Sequence, residues 1–168
     1  MNIRISGACI VMSLPTQLDL SLVLTLDVSI GPPLALGMTS AGGRFNYAIT
    51  GGQFYGAQLH GQVLPGGADF YLERGDGVGV LDARYSLLTD DGVLINIQNT
   101  GVLTLNEEGK ALEKSGIWPI PESTYQCYCR PVFQVAIGKY QWLESSMFYG
   151  RVIYPSADMV KIGLYLAK

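Results

Sequence analysis

The chain has 168 residues, of which 48% are hydrophobic, only 15% are charged and 21 are glycine, and its net charge is −3. This much hydrophobicity excludes intrinsic disorder, which combines low hydrophobicity with high net charge. The negative charge argues against nucleic-acid binding, because phosphate recognition needs a basic surface. The length suits a single domain over residues 1–168.

The composition also argues against a membrane-spanning protein. The longest stretch without Lys, Arg, Asp or Glu covers residues 45–68, where glycines, glutamines, a proline and His60 interrupt the apolar residues. A spanning helix needs about 20 predominantly apolar residues. The three cysteines are an odd number, and no N-x-S/T sequence occurs. Both facts favour the reducing cytoplasm, so we expect a cytoplasmic protein without a membrane partner.

Alternation of apolar and polar residues predicts most of the secondary structure. From residue 18 to residue 30 every second residue is apolar, which predicts a long strand ending at Gly31-Pro32-Pro33. Turns rich in glycine, proline and aspartate separate the later segments. Further strands are predicted over residues 44–50, 53–64, 68–74, 78–89, 93–103, 126–136, 141–154 and 159–167.

One segment, residues 106–115, is predicted to be helical. Asn106 is a favourable N-cap, and acidic residues followed by lysines suit the helix dipole. About nine or ten strands with short connections and one short helix predict an all-β, antiparallel barrel or sandwich.

Metal, cofactor and nucleophile motifs are weak. Cys127 and Cys129 lie on one strand face, but the C-x-C spacing and the single histidine do not supply the four ligands of a structural zinc site. We therefore expect buried packing cysteines and no metal. No G-x-S-x-G sequence, which would indicate a serine nucleophile, occurs. The glycine-rich stretches lie between two strands, whereas the glycine loops that bind nucleotides connect a strand to a helix. No cofactor is expected.

A set of polar residues lies on strands that otherwise resemble core. Asp82 and Arg84 are two residues apart and share one face, and Asp69 lies on the preceding strand. Asn96 and Gln98 share a face of the following strand. One interpretation places all of them on the solvated outer surface. The other places them inside a barrel, where paired charges would orient a polar ligand.

Aromatic residues favour the second interpretation. The chain has ten tyrosines, five phenylalanines and two tryptophans. Most are expected to pack in the core. A few lining a cavity would bind a flat aromatic ligand and stabilise a transient cation through their ring faces.

The central motifs identify a family resemblance. They read GPP-x-x-x-G over residues 31–37, ITGG-x-F-x-G-x-x-x-G-x-VLPGGADF over residues 49–70, and LDARY-x-L-x-TDDG-x-L over residues 81–94. This pattern resembles the domain-of-unknown-function family 3237, also called uncharacterised protein family 0311. The resemblance covers residues 18–166 and leaves residues 1–14 as an N-terminal extension.

The resemblance implies a compact antiparallel β-barrel. Most members are bacterial, but some members from fungal natural-product clusters are cofactor-free cyclases. They close an oxygen heterocycle by intramolecular hydroalkoxylation of a prenyl alkene on a phenolic polyketide. By analogy, the resemblance implies a cyclase of secondary metabolism whose partner is a small hydrophobic aromatic substrate.

This hypothesis assigns roles to particular residues. Asp69 or Asp82 would be the acid or base, and Arg84 would anchor a carbonyl or phenolate oxygen. If one aspartate pairs with Arg84, the other would lie in an apolar setting with a raised pKa. The predicted substrate-binding residues are Phe54, His60, Tyr85, Asn96, Gln98, Phe133, Tyr140 and Trp142.

Two other functions stay open. One is a non-catalytic, lipocalin-like barrel that carries a small apolar molecule, and the other is a different cofactor-free isomerase or lactonising enzyme. Any apolar surface left outside the barrel predicts a homo-oligomer. The sequence also leaves the inner strand face open: if Ala83 and Tyr85 point inward, then Asp82 and Arg84 point outward.

Overall fold

The computed structural model describes residues 16–167, which form nine strands and one α-helix. The predicted 14-residue extension lies outside these residues. The elements in chain order are β1 (Leu20–Thr39), β2 (Gly42–Tyr55), β3 (His60–Val63), β4 (Ala68–Arg74), β5 (Gly79–Thr89), β6 (Leu94–Leu105), α1 (Glu107–Lys114), β7 (Tyr125–Val135), β8 (Phe148–Ser156) and β9 (Met159–Ala167). Short 3₁₀ helices at Glu122–Thr124 and Gln141–Leu143 precede β7 and β8.

The nine strands close into a ring. Neighbours follow the order β1-β9-β8-β7-β6-β5, and β5 then pairs with both β3 and β4. These two strands pair with opposite halves of β2, which returns to β1, and every pairing is antiparallel. The prediction of an all-β antiparallel barrel with one short helix is confirmed.

Strand β1 is longer than predicted. It passes through Gly31-Pro32-Pro33 to Thr39 with a register shift between Ile30 and Pro33. Its pairing with β9 ends at Ser29, so beyond that residue it pairs on one side with β2 alone. The prolines are tolerated because one side of β1 is an edge there, where a missing N–H costs no ladder hydrogen bond.

Gly51 and Gly52 separate two of the predicted strands, but in the structure they belong to the continuous strand β2. Both glycines have positive φ, 141° and 136°. A Cβ at Gly52 would lie 2.0 Å from the carbonyl oxygen of Asp27 on β1. These glycines let β2 bend against β1 at a corner of the barrel.

The predicted helix forms at α1. The side chain of Asn106 accepts a hydrogen bond of 2.9 Å from the Gly109 N–H and caps the first turn. A Cβ on Gly109 would approach the Thr124 carbonyl oxygen to 2.5 Å, so the glycine lets α1 pack against the 3₁₀ turn before β7. The strand predicted over residues 141–154 is instead a 3₁₀ turn followed by β8.

The barrel interior has two different ends. At the closed end, the large buried side chains fill the interior beside the 3₁₀ turn Gln141–Leu143; they include Phe54, Leu59, Leu87, Ile95, Phe133, Leu143, Phe148 and Leu164. The open end lies at the opposite ends of the same strands, near α1 and residues 115–118. The inner space at the open end is not filled by core side chains and forms a cavity.

The two cysteines of β7 are buried packing residues, as expected from the sequence. Cys127 and Cys129 are buried and free, and burial raises their pKa values to about 12 and about 11. No group of three or more His, Cys, Asp or Glu side chains in this part of the chain could hold a metal ion. None of its helices is long and apolar enough to cross a membrane.

Candidate functional site

The cavity at the open end has a volume of about 380 Å³. This is within the usual range of small-molecule sites. Its wall is mainly aliphatic and aromatic and contains two carboxylates, Asp69 and Glu113. The exposed residues Pro33, Gly116 and Ile117 form part of its mouth. The other lining residues are Val28, Ile30, Tyr47, Ile49, Tyr71, Leu81, Tyr85, Leu103, Trp118, Tyr154, Ala157, Val160 and Ile162.

Asp69 is placed in the cavity wall by strand register. It lies between Tyr47 on β2 and Ala83 on β5, and residues paired across a sheet share one face. Because Ala83 is buried, this row faces the interior. One carboxylate oxygen of Asp69 accepts a 2.9 Å hydrogen bond from the backbone N–H of Asp82.

The environment of Asp69 changes its protonation. Burial raises its pKa to about 6; the backbone hydrogen bond from Asp82 opposes this shift, and the nearby Asp82 charge adds to it. The carboxyl group therefore exchanges protons near neutral pH, a property suited to general acid–base chemistry.

Aromatic rings line the same cavity as this carboxyl group. Tyr47 and Tyr71 pack edge to face with ring centroids 6.2 Å apart. The ring centroids of Tyr154 and Trp118 are 5.0 Å apart. Gly79 makes space for Tyr71, because a Cβ on this glycine would lie 2.0 Å from the Tyr71 hydroxyl. The rings give the cavity flat, apolar walls with polarisable faces.

The cavity tyrosines remain protonated hydroxyls. Burial raises the pKa values of Tyr47, Tyr71, Tyr85 and Tyr154, and nearby acidic groups raise them further. The Tyr154 hydroxyl lies 3.4 Å from the Cys127 sulfur. The Tyr85 hydroxyl is buried and has no hydrogen-bond partner among residues 16–167.

Of the predicted catalytic residues, the structure places only Asp69 in the cavity wall. The expectation that Asp82 and Arg84 face the interior is wrong, because Ala83 and Tyr85 occupy the inner face of β5. Arg84 donates to Asp82 at 3.3 Å on the outer surface, and its side chain is 61% exposed.

The two aspartates nevertheless have the opposite pKa shifts considered in the sequence-based hypothesis. Partial burial raises the pKa of Asp82, but hydrogen bonds from Arg84 and Gln98 outweigh this effect and leave its pKa below the ordinary value. The Gln98 amide donates to Asp82 at 3.0 Å. Asp82 is thus the paired surface aspartate, and Asp69 is the buried aspartate with the raised pKa.

The other polar predictions also lie outside the cavity. Asn96 and Gln98 alternate with the buried residues Ile95 and Ile97 and point outward, where Asn96 accepts a 2.9 Å hydrogen bond from Ser86. His60 is exposed and lies 2.7 Å from the Asp90 carboxylate. Their predicted placement in a substrate-binding interior is wrong because they are on the outer strand face.

The predicted aromatic residues divide between the two ends. Tyr85 lines the cavity, whereas Phe54 is buried at the closed end. Phe133 and Trp142 both pack on Phe148, with centroid distances of 5.3 and 6.0 Å. The Tyr140 hydroxyl donates to Asp91 at 2.9 Å. The placement of Phe54, Phe133, Tyr140 and Trp142 in the substrate cavity is therefore wrong, since these rings fill the closed end.

The predicted substrate-binding residues did not include the cavity residues Tyr47, Tyr71, Tyr154, Trp118 and Glu113. Tyr71 could have been found, since it is two residues from Asp69 on the same strand face. Identifying Tyr47 as a cavity residue required knowledge of the register between β2 and β4, which pairs it with Asp69. Glu113 lies on α1 and Trp118 lies in the loop that follows it. The position of both segments over the barrel depends on tertiary packing.

The fold and cavity define a small antiparallel β-barrel with an interior site of ligand size. Residues 18–165 match the model of the family described as Protein of unknown function (DUF3237), and the chain belongs to this family. A UPF0311 protein of Clostridium acetobutylicum is 33% identical over 127 residues, which cover 75% of this chain and 80% of the relative.

Solved structures extend the comparison. A conserved protein of unknown function from Rhodopseudomonas palustris is similar to this chain with a TM-score of 0.83 and 31% identity, covering 92% of this chain and all of that one. A structure described as an enzyme from Penicillium herquei gives a TM-score of 0.67 at 21% identity, covering 94% of this chain and all of that one. The latter similarity shows the shared fold alone.

Proposed function

We propose that the protein is a cofactor-independent cyclase that adds a phenolic hydroxyl across a prenyl alkene of the same molecule. The observation that carries this proposal is the Asp69 carboxyl group, with a pKa of about 6, in the wall of an aromatic-lined cavity. At pH 7 about a tenth of such groups are protonated, so both the acid and its conjugate base are present. The family resemblance supplies the reaction class by analogy.

The proposed reaction is an isomerisation in which Asp69 transfers protons. Its carboxyl proton moves to the less substituted alkene carbon, and the phenolic oxygen bonds to the more substituted carbon. The phenolic proton then passes to the Asp69 carboxylate. One substrate O–H bond and one C=C π bond are replaced by one C–H and one C–O bond, so Asp69 returns to its initial state and no redox partner is consumed.

The cavity walls support this chemistry in two ways. The rings of Tyr47 and Tyr71 lie near Asp69 and present π faces that stabilise positive charge developing on the tertiary carbon. The mostly apolar lining limits water, which would compete with the phenolic oxygen for that carbon. A fixed cavity shape also favours attack on one face of the alkene.

A non-catalytic binding barrel is the second candidate. It is favoured by the preformed cavity of about 380 Å³, which suits a small ligand without any reaction. In that case Asp69 would accept a hydrogen bond from a ligand hydroxyl, and the ligand would be recovered unchanged. Conversion of the substrate separates the two candidates.

The decisive experiment compares two aspartate variants with the wild-type protein on a panel of prenylated phenols. Asp69→Asn retains the side-chain oxygen that accepts the Asp82 N–H but removes the transferable proton, so we expect turnover to fall at least about 100-fold. Asp82→Asn is the matched control, because its side chain points outward. Products are measured by chiral chromatography and mass spectrometry, with unchanged mass expected on cyclisation.

Two outcomes would contradict the proposal. If Asp69→Asn retains full stereoselective turnover, Asp69 is not the proton-transfer group. If the wild-type protein binds the phenols stoichiometrically and releases them unchanged, the binding barrel is the better assignment.

A further inference from the structure

The Tyr85 hydroxyl is a buried donor with no partner in the described structure. Tyr85 is 6% exposed, and its hydroxyl oxygen makes no hydrogen bond within residues 16–167. A buried hydroxyl without a partner is unfavourable and uncommon in native proteins. The same side chain lines the cavity. An acceptor atom of a ligand bound against this side chain would supply the missing hydrogen-bond partner.

Tyr85 and Asp69 are neighbours across the sheet. Ala83 lies directly opposite Asp69, and Tyr85 is two residues further along the inner face of β5. The backbones of such diagonal neighbours are about 7–8 Å apart, and the Asp69 charge adds to the raised pKa of the Tyr85 hydroxyl, so the two side chains are close enough to contact one aromatic ligand. The cavity wall thus presents a hydroxyl donor beside a proton-exchanging carboxyl group. A ligand with an acceptor oxygen and a hydroxyl group matches both.

The charges around the cavity select against anions. Its wall contains the carboxyl groups of Asp69 and Glu113, and among residues 16–167 no Lys, Arg or His lines it. Two cations on strands that line the cavity are paired on the outer surface: Arg84 with Asp82, and Lys161 with Asp27. A bound anion would lose its hydration without gaining a counter-ion and would face like charges.

We propose that the substrate enters uncharged and that Tyr85 binds a carbonyl oxygen of its aromatic ring system. This inference rests on the proposed function and specifies its substrate as an acylated phenol. The phenolic hydroxyl lies toward Asp69 and the carbonyl toward Tyr85. Carboxylated and phosphorylated analogues are excluded by the two carboxylates.

The test uses three probes that cannot cyclise, because a saturated 3-methylbutyl group replaces the prenyl group. They are 2,4-dihydroxy-3-(3-methylbutyl)acetophenone, the resorcinol lacking the acetyl group, and the corresponding 2,4-dihydroxybenzoate. Binding to the wild-type protein is measured calorimetrically at about pH 6.5, where the benzoate is ionised and the other two are neutral. We expect the acetophenone to bind about tenfold more tightly than either of the other probes.

Variants separate the two parts of the proposal. Tyr85→Phe should bind acetophenone and resorcinol with about equal affinity, because only the affinity for acetophenone falls while that for resorcinol is unchanged. Tyr149→Phe, an exposed tyrosine on β8, is the control and should preserve the preference. Glu113→Gln should bring the affinity for the benzoate closer to that for the acetophenone. Steric exclusion of the benzoate alone would not produce this change.

Each result decides the inference independently of catalysis. Equal binding of benzoate and acetophenone by the wild-type protein, or an unchanged acetophenone preference in Tyr85→Phe, would overturn it. So would the absence of acetophenone binding at millimolar concentration. If the probes behave as expected but no prenylated phenol is converted, the substrate-binding inference stands and the cyclase proposal fails.

Discussion

The closed and open ends of the barrel are built by the same strands but serve different purposes. On β5, Leu87 lies at the closed end and is 0% exposed, whereas Leu81 lies at the open end and lines the cavity. The closed end is filled by side chains that contact one another. The open end leaves room for a ligand. The difference indicates that packing energy is concentrated at one end and that the other end retains binding capacity.

Polar groups inside the two ends differ in the same way. At the closed end the Tyr140 hydroxyl has a partner, the Asp91 carboxylate, which also pairs with Lys139 at 2.9 Å. At the open end the Tyr85 hydroxyl has no partner in residues 16–167, and burial raises the pKa of Asp69 to about 6. Unfavourable local states of this kind are typical of binding and catalytic sites.

The largest expected effect comes from comparing leucine truncations on β5. Leu87→Ala should reduce the free energy of unfolding by about 4 kcal/mol, because it leaves a cavity in packed core. Leu81→Ala should cost only about 2 kcal/mol, since one side of Leu81 already faces open space. Urea unfolding measures both. Equal losses would show that the two ends are packed equally well.

A smaller effect is expected from the pH dependence of Asp69. Its pKa is raised from 3.8 to about 6, so its favourable contribution to stability is fully present below pH 3.8 and is lost as the pH rises through about 6. Asp69→Asn removes this charge, so the variant should be more stable than wild type at pH 8 by up to about 3 kcal/mol. At pH 3.5 the two proteins should be about equally stable.

The control for this measurement is Asp82→Asn. Hydrogen bonds from Arg84 and Gln98 hold the pKa of Asp82 below its usual value, so loss of this charge should not increase stability at pH 8. Urea midpoints at the two pH values distinguish the variants. A gain at pH 8 in both would mean that general surface charge, and not burial of Asp69, causes the effect.

The sequence predicted the barrel but not the location of its site. Alternation located β5, β6, β7 and β9 to within a few residues because each has one apolar face, and the glycine-rich turns on either side located β4. On β5, Leu81, Ala83 and Tyr85 already form the more apolar face, and Asp82 and Arg84 the more polar one. The simpler outward placement of Asp82 and Arg84 was therefore available from the pattern.

Other features of the site depend on tertiary packing. The placement of Phe54, Phe133, Tyr140 and Trp142 in the cavity was wrong because alternation identifies a strand face but not which end of the barrel is filled. That depends on the combined volumes of side chains from several strands and the Tyr140–Leu143 segment. Trp118 was missed for a related reason, since residues 115–118 reach the cavity only through the packing of α1.

The smallest expected effect on stability comes from removing one tyrosine hydroxyl at each end of the barrel, that of Tyr85 or that of Tyr140. Tyr85→Phe removes a buried hydroxyl that has no partner in the described structure, so it should increase the free energy of unfolding by up to about 1 kcal/mol. Tyr140→Phe removes the donor to Asp91 and should lower the thermal midpoint. The same chemical change would then have opposite effects at the two ends, as measured by thermal unfolding without ligand. A loss of stability in Tyr85→Phe would mean that its hydroxyl already has a favourable interaction in the free protein and is not held available for a ligand.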